Sequence, residues 1–412
     1  MKRTIDGGTR RRGRFALGPW EVLAVAGRLG ITSFGGPVAH LGYFHEEYVV
    51  RRKWLGEGRY ADLVALCQMI PGPASSQLGI AIGIERAGIL GGVAAWIGFT
   101  LPSAAALTLF ALLMHGAGIG SAGWLHGLLV VAVAVVAQAL WYMSRKLAPD
   151  APRLSIAFAA AMASILLPSS LTQVSLIGGG AIAGLLFLRP GDDDPTGRSP
   201  DFETIGRIPA LCCLAAFALM LILLPLLRST SRLQWIALID SFYRSGSLVF
   251  GGGHVVLPLL QREVVPTGWI SNETFLAGYG AAQAVPGPLF TFAAYLGAVS
   301  APSPNGILGA ALALGAIFLP SFLLVIGLLP FWNALRGLRP MRSALSGVNA
   351  AVVGLLLSAL YSPVWTSAIL EPADFALALA AFLLLAVWKV RPWIVVVAGA
   401  ILGQALLFLR GA

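Results

Sequence analysis

Leu125 to Tyr142 and Ile208 to Leu227 are predominantly apolar runs of the length that crosses a bilayer as a helix, roughly 20 residues. Only helices and closed barrels satisfy their own backbone inside lipid, and runs this long without strand alternation select helices. The composition agrees: 57% of the 412 residues are hydrophobic and 11% charged, against about 25% charged in soluble domains. The chain is therefore expected to be an all-α polytopic membrane protein.

The formal net charge of +10 could suggest nucleic acid, but its placement points elsewhere. Lys2, Arg3, Arg10, Arg11, Arg12 and Arg14 crowd ahead of the first apolar run. That is a positive-inside anchor, which puts the N-terminus in the cytoplasm and makes lipid rather than nucleic acid the partner. Arg11 to Phe15 has some likeness to a twin-arginine signal, and Ala24-Val25-Ala26 to a cleavage site. With a polytopic chain following, the segment reads as retained. Cys67, Cys212 and Cys213 have neither disulfide nor metal-ligand spacing and read as small apolar helix residues.

The chain is internally duplicated. Arg28 meets Arg244, Phe34-Gly35-Gly36 meets Phe250-Gly251-Gly252, and Glu47 meets Glu263. Trp54 then meets Trp269, and Gln68 with Pro71-Gly72-Pro73 meets Gln283 with Pro286-Gly287-Pro288. Further on, Gly88 to Gly91 meets Gly306 to Gly309, and Pro102-Ser103 meets Pro320-Ser321. The expected organisation is a basic cytoplasmic N-terminus (1–15), a first repeat (16–188), a linker with one extra span (189–235) and a second repeat (236–412). The linker's Asp192, Asp193 and Asp194 read as a solvated, proline- and glycine-flanked loop rather than a cation site.

An even number of crossings per repeat plus the extra span Ile208–Leu227 would invert the second copy. Loop charges favour the same arrangement. Arg145, Lys146 and Arg153 share the cytoplasmic side with Arg336, Arg339, Arg342, Lys389 and Arg391 only if the copies are antiparallel. Arg51, Arg52 and Lys53 fit that scheme if Val22–Phe44 enters the membrane and turns back at Gly35-Gly36-Pro37. The Pro-Gly-Pro segments Tyr60–Gly83 and Phe275–Gly297 should turn back likewise, because proline removes an amide donor and disfavours helix in its predecessor. Broken backbone at membrane depth persists only where protein buries it or it lines a cavity. Inverted repeats with interrupted helices carry their sites at the repeat interface in many secondary transporters.

Arg28 and Arg244 lead the site candidates, because a guanidinium fork suits a tetrahedral oxyanion. Snorkelling or a structural ion pair is the competing account. Gly35, Gly36, Gly251 and Gly252, with Pro71, Gly72, Pro286 and Gly287, could free backbone amides for an anion or allow close helix packing. Gln68 and Gln283, with Ser75, Ser76, Gln77 and Thr291, are further donors or tertiary hydrogen-bonding groups. Glu47, Glu263, His40 and His254 are candidates for proton coupling, with a solvated loop-end charge the stronger reading for the glutamates. Gln138 reads as an interhelical hydrogen-bonding group.

There is no Walker loop, HExxH or paired-cysteine motif, so neither a cofactor, a metal nor an enzyme activity is expected. The motifs FGGP at Phe34–Pro37, FGGG at Phe250–Gly253 and QxxPGP at Gln68 and Gln283 resemble the chromate ion transporter family in its long two-domain form. The resemblance runs from about Trp20 to Leu409. It implies efflux of chromate, close in shape and charge to sulfate, across a bacterial inner membrane, with chromate resistance and use of the proton motive force. A sulfate or related oxyanion importer and a passive anion channel are the alternatives; a lipid-modifying membrane enzyme would need a polar cluster that the sequence lacks. A homodimer is compatible with all of these. A dianion leaving a negative-inside cell gains about 4.6 kcal/mol per 100 mV, twice the figure for one charge, so membrane potential alone could drive export.

Overall fold

The computed structural model describes residues 18–34, 36–117, 123–167, 169–188, 205–231, 233–250, 253–335 and 338–411. The basic stretch before Gly18, the glycines Gly35, Gly251 and Gly252, and Asp192 to Asp194 lie outside the described residues. Helix is the only regular structure among them. Five helices are long and apolar enough to cross a membrane: Ala74–Met114, Gly123–Leu147, Arg207–Thr230, Gly306–Phe331 and Arg339–Ala368. Shorter apolar helices cover Ala151–Leu166, Leu171–Phe187, Pro372–Ala386 and Pro392–Ala405.

In the first half, α1 (Gly18–Thr32) stops before the glycine pair, and α2 (Gly36–Phe44) runs on through a π-helical turn, His45–Arg51. The chain has reversed by then, for Arg52 reaches Glu21 at the start of α1 (3.4 Å). After α3 (Glu57–Met69) the Pro-Gly-Pro turn starts α4 (Ala74–Ala117). The chain reverses again, because Arg59 on α3 clasps Glu85 on α4 through bonds of 3.1 to 3.2 Å. Only after a break at Ala87–Gly88, where Gly88 has φ +67°, does α4 enter its long apolar run. α5 (Gly123–Leu147), α6 (Ala151–Leu166) and α7 (Ser170–Phe187) complete the half.

α8 (Arg207–Thr230) joins the halves. It is apolar on every side and almost none of it is buried, which is the character of a helix surrounded by lipid. In the second half α9 (Gln234–Ser247) and α10 (Val256–Val264) form a hairpin closed by Ser241 donating to Glu263 (2.9 Å). α11 (Asn272–Ala284) and α12 (Phe292–Val299) form another across the second Pro-Gly-Pro, with Tyr295 Oη donating to the Thr274 carbonyl (2.9 Å). Then come α13 (Gly306–Leu328), α14 (Arg339–Ala359), α15 (Pro372–Ala386) and α16 (Pro392–Gly411). Proline breaks both Pro-Gly-Pro segments as expected, whereas Pro102, Pro225 and Pro320 sit inside α4, α8 and α13. Neighbouring helices can re-satisfy the backbone groups a proline frees in such a bundle.

The halves interlock reciprocally. The Gly72 amide donates to the Val249 carbonyl (2.7 Å), and the Gly287 amide donates to the Ser33 carbonyl (2.9 Å). Both glycines have positive φ, +122° and +97°. A Cβ on Gly72 would lie 2.8 Å from Ser321 Oγ, and one on Gly287 would lie 2.9 Å from Ser103 Oγ. Farther out, α5 packs on α15 and α16 while α14 packs on α6 and α7. Gly127 there faces Gly399 and Gly403, and Gly347 faces Gly180 and Gly184. Small residues let these backbones touch, which drives helix association where lipid removes the hydrophobic effect. At the ends, Trp332 beyond α13 donates to Asp62 on α3 (3.4 Å), and Ser343 early in α14 donates to the Leu188 carbonyl after α7 (2.9 Å).

Candidate functional site

The broken segments of the two halves meet in one cavity of about 670 Å³. Thr32, Ser33, Phe34, Gly36 and Tyr43 line it from the first half, and His254, Gln283, Val285 and Gly287 from the second. Gln138 of α5 and the turn Lys389–Pro392 close the wall. The wall is built on the hydrogen bond between Gly287 and Ser33, which fixes the second Pro-Gly-Pro turn against the end of α1.

Two side-chain donors in this wall have no partner. Ser33 is fully buried and its Oγ makes no hydrogen bond; Gln283 Nε2 is likewise buried and unpaired. Buried polar groups are nearly always satisfied, so two orphans from different halves, in residues of one cavity wall, are donors that a small turn of each side chain would offer to a ligand. Gly36 adds the N-terminus of α2 in a left-handed conformation, φ +77°. A helix N-terminus favours an anion through free amides and the helix dipole. His254 is fixed through Nδ1 against Tyr279 Oη (2.7 Å). Gln138 donates to the Leu385 carbonyl (2.9 Å), the interhelical role expected of it.

Of the residues singled out in the sequence, the structure gathers Gly36, Gln283, Gly287 and His254 at the cavity. Arg28 is exposed on α1, one turn before Ile31 and Thr32 and on the same helix face, but is not itself in the wall. Among the described residues it has no ion pair. Gln68 is exposed, while Pro71 and Gly72 belong to the opposite junction with Val249. Gln77 Nε2 holds that turn by donating to the Pro71 carbonyl (2.6 Å), and Thr291 holds the other by donating to Pro288 (2.8 Å). Pro286 is half-buried beside Gly287. His40 does not line the cavity but is buried directly behind its wall, between Ser75 and the Ser33 carbonyl (3.3 Å each).

The glutamates differ from the solvated charges expected of them. Both are buried, because each is the corner of an ion-pair cluster. Glu47 accepts from Arg51 and Arg52 (2.8 Å each), and Arg52 lies over the Trp54 ring, as does Arg86. Glu263 accepts from Arg244 (3.0 Å) and Arg228 (3.4 Å), and Arg228 lies over Trp269. Asp240 completes the second cluster, 2.8 Å from Arg244 and 3.1 Å from Arg228. Arg244 is thus ion-paired with two carboxylates, and it borders a separate small pocket with Gln173 and Leu248. Asp240 and Arg228 escaped the sequence reading, since Ala24 stands opposite Asp240 in the repeat and Arg228 comes from the linker helix. The i,i+4 spacing of Asp240 and Arg244 was the available signal.

A duplicated helical bundle with breaks facing a shared cavity is an architecture of membrane transporters, and the comparisons place this chain among them. The family described as chromate transporter matches residues 20–185 and again 236–404. The chain belongs to the chromate transporter family and is a multi-pass membrane protein. It is 28% identical to a probable chromate transport protein of Synechococcus elongatus over 81% of each chain. It is 27% identical to the chromate transport protein of Pseudomonas aeruginosa, over 80% of this chain and 77% of the relative. Identity to that of Cupriavidus metallidurans is 26%, over 81% and 79%. No solved structure gives a significant match.

Proposed function

We propose that this protein is a secondary transporter that exports chromate from the cytoplasm of a bacterial cell, and that the cavity between the halves is its binding site. The observation that carries this reading is that Ser33 and Gln283, each with one unpaired buried donor and one from each half, belong to the same cavity wall beside the Gly287–Ser33 bond. A tetrahedral dianion offers acceptors in several directions and could take both hydrogens at once, with the α2 N-terminus adding a favourable dipole. Arg28, exposed one turn before Ile31 and Thr32 of the wall, is read as supplying charge on the route to these donors. Arg244, by contrast, braces the α9–α10 hairpin through its carboxylates.

The two copies are read as inverted in the membrane. Support comes from Trp332, which ends the α13 segment beside Asp62, near the point where the matching run of α4 begins. Ser343, at the start of α14, likewise sits by Leu188 at the end of α7. With the positive-inside loops, this orientation places the N-terminus, Arg145, Lys146, Lys389 and Arg391 on the cytoplasmic side and Glu371 outside. The cavity then opens toward the cytoplasm, as loading for export and chromate resistance require.

Flux into and out of proteoliposomes, with chromate, sulfate and molybdate compared at a set potential, tests the reading. Saturable chromate flux that sulfate competes for is expected. An ohmic, unsaturable current would instead make the protein a channel, and flux of sulfate without chromate would change the substrate.

A further inference from the structure

The Lys389–Pro392 turn lines the cavity, yet nothing in the repeat or the motifs assigns it a role. We infer that Lys389 and Arg391 form a cationic collar that captures the divalent oxyanion before it reaches Ser33 and Gln283. This inference rests on the transport reading above and names the residues that set its affinity and charge selectivity.

Both side chains are exposed, and among the described residues neither has an ion pair. Among the described residues, no Asp or Glu stands in the cavity wall to neutralise them. The turn is also fixed in place. Gln138 of α5 donates to Leu385 just before it (2.9 Å), and Trp393 just after it meets the Phe34 ring of the first half at 6.5 Å. The cations are therefore held against the end of α1, at the mouth of the space where the two unpaired donors lie.

The backbone points the same way. Lys389 has φ +55° and ends α15 in the left-handed position, with the Val390 amide bonded to Leu384 (2.9 Å) and the Trp388 amide to Leu383 (3.1 Å). Helix ends of this kind ordinarily carry glycine, because a Cβ is disfavoured there. Lys53 takes the same conformation (φ +52°) outside the cavity wall, so the turn only places the Lys389 charge and does not by itself account for it. Arg391 directly precedes α16, and a cation at a helix N-terminus is electrostatically unfavourable unless an anion joins it. Pro392, the first residue of α16, and Gly36, the first of α2, both border the cavity, so two positive helix ends and two cations face one space.

The collar is one-sided. Gly399 and Gly403 face Gly127 as Gly180 and Gly184 face Gly347, and carrying that register back sets Lys389 and Arg391 opposite Ser170 and Thr172. Duplication of the fold therefore does not require the charges. Positive-inside orientation could use them, but it would be served equally by cations anywhere in the loop.

A charged mouth raises the local concentration of a counter-ion by about tenfold or more, and salt screens it. In proteoliposomes, K389Q/R391Q should raise the chromate KM about tenfold. Vmax should stay within about twofold, and the rise of KM with ionic strength expected of the wild type should be lost. K389R/R391K should behave as wild type. K389G, which keeps the turn and relieves its backbone, should raise KM about threefold, and it decides the matter should the double variant not reach the membrane. An unchanged KM and salt response in K389G and in the double variant overturn the collar alone. Absence of any oxyanion flux in the wild type overturns the transport reading and the collar with it.

Discussion

The Gly287 amide donates to the Ser33 carbonyl at 2.9 Å, and this single bond ties the break of one repeat to the break of the other. Its twin, from Gly72 to Val249, repeats the arrangement with the halves exchanged. Neither amide would be free in an unbroken helix. The prolines on each side of the glycine interrupt the helix, and the positive φ that follows is open to glycine at little cost.

Gly287→Ala should therefore be damaging for two reasons, the left-handed backbone at φ +97° and a new Cβ 2.9 Å from Ser103 Oγ. Together these should cost about 1–3 kcal/mol. A lowered melting temperature in detergent and flux reduced by at least about tenfold are the expected readouts. Gly72→Ala should reproduce the stability loss through Ser321 Oγ, at 2.8 Å.

Arg28→Ala and Arg244→Ala should fail in different ways. Arg28 has no ion pair among the described residues, so its removal should leave a folded protein in the membrane that no longer confers chromate resistance. Arg244→Ala removes a partner from Asp240, which is 1% exposed, and leaves two carboxylates sharing Arg228. Because Arg244 is partly exposed, about 1–3 kcal/mol of stability should be lost rather than the full cost of a deeply buried pair. Adding Asp240→Asn should restore part of it, as measured by thermal melts of the single and double variants. Full resistance in Arg28→Ala would remove that residue from the route.

Much of this architecture is legible in the sequence, because its signals are local. Span lengths, the two helix breaks and the repeat landmarks from Arg28 to Ser103 each depend on residues near one another in sequence. What escaped depends on approach between distant segments. Nothing around Ser33 or Gln283 reveals that the end of α1 meets the second Pro-Gly-Pro turn rather than its own. Matching the repeats also highlights paired residues and hides unpaired ones, so Arg244 stood out while Asp240 and Arg228, its partner and co-ligand, did not. The burial of the glutamates is hidden in the sequence for a related reason: Arg51, Arg52 and Arg228 bury them by pairing, and only a fold can bring Arg228 to Glu263.

Ser33→Ala and Gln283→Leu each remove one unpaired donor without disturbing an existing bond. Stability should change little, while chromate KM should rise about tenfold for each, the loss of one charge-assisted hydrogen bond of about 1.5 kcal/mol. Gln283→Glu is the sharper test, since it sets a like charge against the dianion and should abolish flux in a protein that still melts normally. Unaltered KM in all three would move the binding site out of this cavity.

The energetics of export can be separated from its pathway. A dianion moving out of a negative-inside compartment gains about 4.6 kcal/mol per 100 mV, so imposed potential should shift the chromate ratio at equilibrium by about three orders of magnitude per 100 mV if the ion moves uncompensated. Coupling to one inward proton per dianion would add a further charge and a dependence on the pH gradient. The two are distinguished in vesicles with the potential clamped by potassium and valinomycin. Alkalinisation outside the cytoplasm-equivalent face, in step with chromate flux, indicates antiport. A chromate ratio that follows potential but ignores an imposed pH gradient indicates uniport, and in that case His254 and its Tyr279 partner serve only to shape the cavity wall.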